Sequence, residues 1–197
     1  MHMKAGIGIS GNEEPDNGPN AAKVGWLYNG VVATGIGAPG ASISFADING
    51  DGRADYLSTS ANGAVTCYLN TGPKIDNGPH AAQVGWLPQG VIATGVQGVR
   101  NQTVFADING DGRADYLKVT RVGSGAVDEY QNGGGPDNGP NAAKVVWYPK
   151  GQITTGDGTS GANVMFGDLN EDGRAEYLLV NPTNSAMVAY MNACPPT

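Results

Sequence analysis

Histidine and cysteine are scarce: the 197 residues hold two of each. His2 falls in residues 1–4, which read as a cloning remnant, and His80 stands where Asn20 and Asn141 stand in sister segments, so no Ser-His-Asp or Cys-His arrangement can be assembled. Cys67 and Cys194 occupy non-equivalent places in the repeat described below, which excludes a repeated thiolate metal site and a disulfide framework. Whether these two pair with each other is left open, because sequence does not place their Cα atoms. Basic charge is also short. Eleven Lys and Arg face 18 Asp and Glu, for a net charge of −7, and no basic cluster occurs, so a phosphate-tracking surface and a nucleic-acid partner are excluded. No apolar run approaches the roughly 20 residues that span a bilayer, so no membrane span is expected.

Glycine and proline are plentiful, at 32 and 12 residues, a composition that signals disorder only when it lacks a period. Here a period is present. FADINGDGRADYL at 45–57 returns unchanged at 105–117 and as FGDLNEDGRAEYL at 166–178, a step of about 60 residues. PDNGPNAAKVGW at 15–26, IDNGPHAAQVGW at 75–86 and PDNGPNAAKVVW at 136–147 keep the same step.

Within one repeat, β-branched and aromatic residues from Ser42 to Ile48 lead into an Asp/Asn/Gly cluster, and a returning strand follows from Ala54 to Ser60. Asn62-Gly63 then marks a hairpin turn into a third strand over 64–70. A fourth strand is expected around Lys23 to Leu27 and its equivalents, followed by turn residues and a short extended stretch (LYNGVVATG, LPQGVIATG, YPKGQITTG). Four short strands per repeat make a sheet that must stack on its neighbours. The expectation is an all-β fold of β-propeller-type blades, each of four antiparallel strands, in about three repeats of 60 residues. One repeat domain over 5–197 divides into a partial blade at 5–41, blades at 42–101 and 102–162, and a partial blade at 163–197. Strands and blades are out of phase at the two ends, and three blades are fewer than the usual four to eight. A homo-oligomer that completes the ring is therefore expected, or a longer propeller.

Chemistry concentrates in the loop after the first strand. Asp47, Asn49, Asp51 and Asp55 place oxygen side chains at positions 1, 3, 5 and 9, with Gly at position 6 for the sharp turn and the carbonyl of Arg53 at position 7. Hard cations such as calcium take six to eight oxygens at about 2.3–2.6 Å, which this set supplies. The second loop repeats the ligands as Asp107, Asn109, Asp111, Arg113 and Asp115, and the third as Asp168, Asn170, Asp172, Arg174 and Glu176. In the third loop the last carboxylate is one methylene longer and Glu171 adds charge, so altered binding is expected there. Ser58, Lys118 and Leu179 stand where an EF-hand needs its twelfth-position acid, which excludes that motif. Magnesium fits less well because it keeps several waters, and zinc lacks any Cys or His in the loops. Ordinary Asn-Gly and Asp-Gly turns are the alternative, but three carboxylates converging at odd positions would repel without a cation. About three Ca2+ ions per chain are expected.

FADINGDGRADYL and its copies resemble the FG-GAP/VCBS repeat family, whose calcium-loop blades occur in integrin α-subunit propellers, in fungal propeller lectins of the Psathyrella velutina type and in appendages of secreted hydrolases. The resemblance implies a propeller blade with one calcium per loop in a secreted, extracellular setting. It does not carry over the sugar-binding residues of the lectins, because no lectin-specific motif is matched. The many Asp residues could form a glycosidase pair, but most are committed to the loops, and a non-catalytic module is expected. Trp26, Trp86 and Trp147 recur near polar DNGP turns and could stack on sugars, giving a lectin-like carbohydrate-recognition module. A large aromatic at one place in every blade also serves inter-blade packing. The alternative is a protein-interaction or spacer module of a larger secreted enzyme, with an extracellular protein as partner.

Overall fold

In the computed structural model, residues 31–73, 84–96, 99–135, 145–158 and 161–193 are described. The remnant at 1–4, most of the partial blade at 5–41, Trp26, the DNGP segments and Cys194 lie outside the described residues. The fold is all-β. β1 (Ile43–Ala46), β2 (Asp55–Thr59), β3 (Val65–Pro73) and β4 (Val84–Ala93) form one antiparallel sheet in chain order. β5 (Thr103–Ala106), β6 (Asp115–Val119), β7 (Gly125–Asn132) and β8 (Trp147–Gly156) form a second in the same order. β9 (Val164–Gly167), β10 (Glu176–Val180) and β11 (Met187–Tyr190) form a three-stranded third.

The fourth strand is longer than the sequence suggests. The turn residues after Trp86 and Trp147 do not reverse the chain; they make a bulge inside one ten-residue strand. Cys67 pairs with Gly90 and Tyr68 with Pro88, which leaves Gln89 as the extra residue. In the second sheet Glu129 pairs with Gly151 and Tyr130 with Pro149, leaving Lys150. Gly90 and Gly151 have φ of 69° and 78°, a left-handed conformation that glycine adopts at no steric cost. Proline is tolerated beside them because this strand lies at the edge of its sheet.

Strand alternation gives each sheet two unlike faces. Phe45, Tyr56 and Tyr68 stand directly across β1, β2 and β3, and their rings meet edge to face at 5.6 and 5.9 Å. The same ladder recurs as Phe105, Tyr116 and Tyr130 and as Phe166, Tyr177 and Tyr190. Leu57 and Cys67 stand across from each other on the opposite, aliphatic face. The core forms where the aliphatic face of the first sheet (Ile48, Leu57, Val65, Cys67, Leu69) meets the aromatic face of the second (Phe105, Tyr116, Tyr130, Trp147). A second cluster joins Leu117, Val119 and Val127 to Val164, Phe166 and Tyr177 in the same manner. Burying such faces is worth about 25 cal/mol per Å² of apolar area, so stacking, not any sheet alone, stabilises the array.

Candidate metal centre

Each candidate loop joins the first two strands of its sheet, and its ninth residue opens the returning strand, as the spacing implies. Asp47 organises the first loop: its Oδ1 accepts from Gly50 N at 2.7 Å and its Oδ2 from Gly52 N at 2.7 Å. Asn49 Oδ1 accepts from Asp51 N, and Asp51 Oδ1 from Arg53 N. Asp107 and Asp168 repeat the first pattern, accepting from Gly110 and Gly112 and from Glu171 and Gly173. In all three loops the first Asp therefore closes the turn by gathering two backbone amides on its carboxylate.

The ninth residue separates the loops. Asp55 is fully buried and divides its carboxylate between two backbone amides, Ile48 N at 2.9 Å and Asn70 N at 2.8 Å. Asp115 does the same with Ile108 N and Asn132 N. Each ties the base of the loop to the third strand. Burial pushes the Asp55 carboxyl up to about 6 against these hydrogen bonds, with Asp47 and Asp51 adding to the rise. Burial likewise pushes Asp115 up to about 7, reinforced by Glu129 and Asp107.

In the third loop the longer Glu176 keeps the bond to the loop amide but lacks the one to the third strand. Its Oε2 accepts from Leu169 N at 2.6 Å, while its Oε1 is fully buried with no hydrogen-bond partner. Ligand oxygens of Asp168, Asp172 and Glu176 all lie within 4.8 Å of one another, and among the described residues this is the group of three so arranged. A buried unpaired carboxylate oxygen beside two more carboxylates fits a hard cation, which would supply the missing partner and cancel the repulsion. Convergence of three negative charges was expected in the first two loops, and the structure corrects this. There Asp55 and Asp115 each hold two backbone amides, and Asp51 pairs with Arg53 at 2.8 Å and Asp111 with Arg113 at 3.4 Å. Burial alone would raise Asp51, but hydrogen bonds from Arg53 and Asn49 hold it below the ordinary range.

Glu171 adopts φ 63°, where Gly50 and Gly110 stand at 77° and 78° in the sister loops. The loops are also joined across sheets, which the spacing does not show. Ala114 N donates to Asp47 O and Ala175 N to Asp107 O, both at 2.7 Å. Asn132 Nδ2 donates to Ile48 O at 2.9 Å, and Asn192 Nδ2 to Ile108 O at 2.7 Å. The sequence signal for this is the Asn that recurs two residues after the third-strand Tyr, at 70, 132 and 192.

Of the tryptophans proposed for sugar stacking, Trp147 packs against the first core cluster and donates from Nε1 to Ile92 O at 2.8 Å. Trp86 makes the equivalent bond to Val32 O at 2.8 Å and lies 5.7 Å from the Tyr56 ring. Both rings are half-buried. Cys67 is a free, buried thiol, pushed up to about 12 by burial.

The FG-GAP-like repeat family model matches residues 47–117, which spans the first loop, the second loop and the strands between them. No curated protein matches the chain. The match is to a propeller-type repeat unit, and no helix among the described residues is long and apolar enough to cross a membrane.

Proposed function

We propose that the chain is a non-catalytic, calcium-binding β-propeller module of a secreted protein, acting through its surfaces as an interaction or spacer unit. The third loop carries this reading: a buried carboxylate oxygen without a partner, converging with Asp168 and Asp172, calls for a cation. Asp168, Asn170, Asp172 and Glu176 would hold it through side-chain oxygens and Arg174 through its carbonyl. In the first two loops Asp47, Asn49, Asp51 and Asp55, and Asp107, Asn109, Asp111 and Asp115, would close on their ions after the Asp51–Arg53 and Asp111–Arg113 pairs open. Calcium then ties adjacent strands and leaves no open position for substrate. The setting is extracellular, where calcium is abundant.

Half-burial of Trp86 and Trp147 and their hydrogen bonds to the Val32 and Ile92 carbonyls favour the interaction reading over sugar recognition by those rings. The test is calorimetric titration of the chelator-treated chain with calcium, followed by a glycan array with calcium present. Three ions bound and a silent array support the reading. Absence of any calcium uptake overturns it, and glycan binding lost in Trp86→Ala restores the lectin reading.

A further inference from the structure

The stacking rule of the three sheets, aliphatic face onto aromatic face, leaves one face of each kind uncovered. On the third sheet Met187 is 51% exposed, whereas the residues in its place on the first and second sheets, Val65 and Val127, are both 0% exposed. Leu169 is 49% exposed where Ile48 is 1% exposed. Met165 is 56% exposed beside them, so the third sheet's aliphatic face is uncovered around a central Leu178 that is 6% exposed. At the other end, Phe45 of the first sheet's aromatic ladder is 59% exposed, while Phe105 and Phe166 are packed into the clusters between sheets.

We infer that these two faces are halves of one interface, and that two copies of the chain stack head to tail through them into a closed ring. The occupant of the third sheet's aliphatic face is the first sheet of a second copy, seated as the second sheet is seated on the first within one chain.

Four features argue for a second copy. First, the hydrogen bonds that join sheets recur at both internal junctions: Tyr116 Oη donates to Gly63 O at 3.0 Å and Tyr177 Oη to Gly125 O at 3.1 Å, beside the Ala N–H and Asn side-chain bonds already described. The first sheet carries the donors of this set, Ala54, Tyr56 and Asn70, and the third carries the acceptors, the carbonyls of Asp168, Ser185 and Leu169. Ser185 has φ 59°, matching the left-handed Gly63 and Gly125 at 83° and 74°. Second, charge is complementary. Internally, Arg113 Cγ lies 3.2 Å from where a Cβ on Gly50 would stand, and Arg174 Cγ lies 3.1 Å from that of Gly110. The residue in that seat on the third loop is Glu171, which would meet Arg53 of the second copy.

Third, the segment ahead of the first sheet already stands in register. Val32 O takes the Trp86 indole as Ile92 O takes Trp147, so residues 31–36 hold the place of a preceding sheet's fourth strand. Fourth, a cleft of about 340 Å³ lies between the second and third sheets, walled by Ile153, Phe166, Tyr177 and Tyr190. It corresponds to the seat of Trp147 one junction earlier. KVGWLYNGVVATG at 23–35 repeats the fourth-strand sequence QVGWLPQGVIATG at 83–95, so a second copy brings a further tryptophan of the kind that fills such a seat. Two copies of three sheets make six blades, inside the usual range of four to eight, whereas three copies would exceed it.

The junction is heterologous, which sets the experiment. Phe45→Glu and Met187→Glu each place a charge on one of the two faces, at residues already exposed in the single chain. Light scattering of the full chain in calcium should give twice the chain mass, and each variant alone the monomer mass, with melting in place to show that both still fold. Mixed together, the two variants should recover a dimer, because each keeps the face that the other needs. A monomeric parent chain, a dimer that both variants leave intact, or a mixture that stays monomeric overturns the inference.

Discussion

Glu176→Gln should act in opposite directions on the calcium-free and calcium-loaded chain. Glu176 shares a space under 4.8 Å across with Asp168 and Asp172. Two unit charges at that separation repel by about 1 kcal/mol in water and about 3.5 kcal/mol at an effective dielectric of 20. Asp168 and Asp172 are exposed, so the lower figure applies, and neutralising Glu176 removes two such pairs, about 2 kcal/mol. The glutamine keeps an oxygen for Leu169 N and turns its NH₂ toward the two remaining carboxylates, where the unpaired Oε1 stood. At about 2–4 °C per kcal/mol for a chain of this size, the variant in chelator should melt about 5 °C higher than the parent. With calcium the order reverses. A charged, bidentate-capable ligand is lost, affinity of that loop should fall by at least about 100-fold, and titration should show one ion fewer. The assay is thermal melting with and without calcium, paired with calorimetry. A variant that melts lower than the parent in chelator would refute the reasoning, because the three carboxylates would then not be repelling one another.

Glu171→Gly should raise the melting temperature by the equivalent of about 1 kcal/mol, because φ 63° costs a side chain that much and glycine nothing, while Glu171→Ala should give little of it. The calcium-free chain should lose stability as pH rises from about 4 through 7. Asp55 and Asp115 keep their protons up to about 6 and 7 when folded but release them near 4 when unfolded, so over that window the native state binds more protons; denaturant midpoints that rise with pH would contradict this. Cys67 should resist a thiol reagent at pH 8 in the folded chain and react at once in denaturant, since its thiol is buried and held protonated up to about 12; rapid labelling of the native chain would show the core at Leu57 and Cys67 to be open.

The blade was legible in the sequence because its signals are local. Alternation in ISFA and DYLST, the Asp/Asn/Gly loop and the turn at Gly63 each act within a few residues, and the structure forms strands where they point. The fourth strand was read too short because Pro88-Gln89-Gly90 and Pro149-Lys150-Gly151 carry a turn's composition, and only the facing third strand turns them into a bulge. The difference among the loops was half legible. One methylene between Asp and Glu is visible at position 176, but its effect depends on where the amides of Ile48 and Asn70 stand, and a sequence does not give their distances.

Burial of Asp55 and Asp115 on amide donors changes what calcium has to do at each loop. A carboxylate that already holds two backbone N–H groups fixes the base of its loop before any ion arrives, so the first two loops are shaped by the chain itself. Their side-chain ligands must still trade an arginine for a cation. At the third loop the shaping is incomplete, since Glu176 leaves one oxygen unpaired and Glu171 holds a strained backbone. The loop at the open end of the stack is thus the one that gains most from a cation. The other two are braced on one side by a neighbour's alanine N–H, Ala114 on the Asp47 carbonyl and Ala175 on that of Asp107. Calcium and the neighbouring sheet act on the same element, and binding of either should strengthen the other.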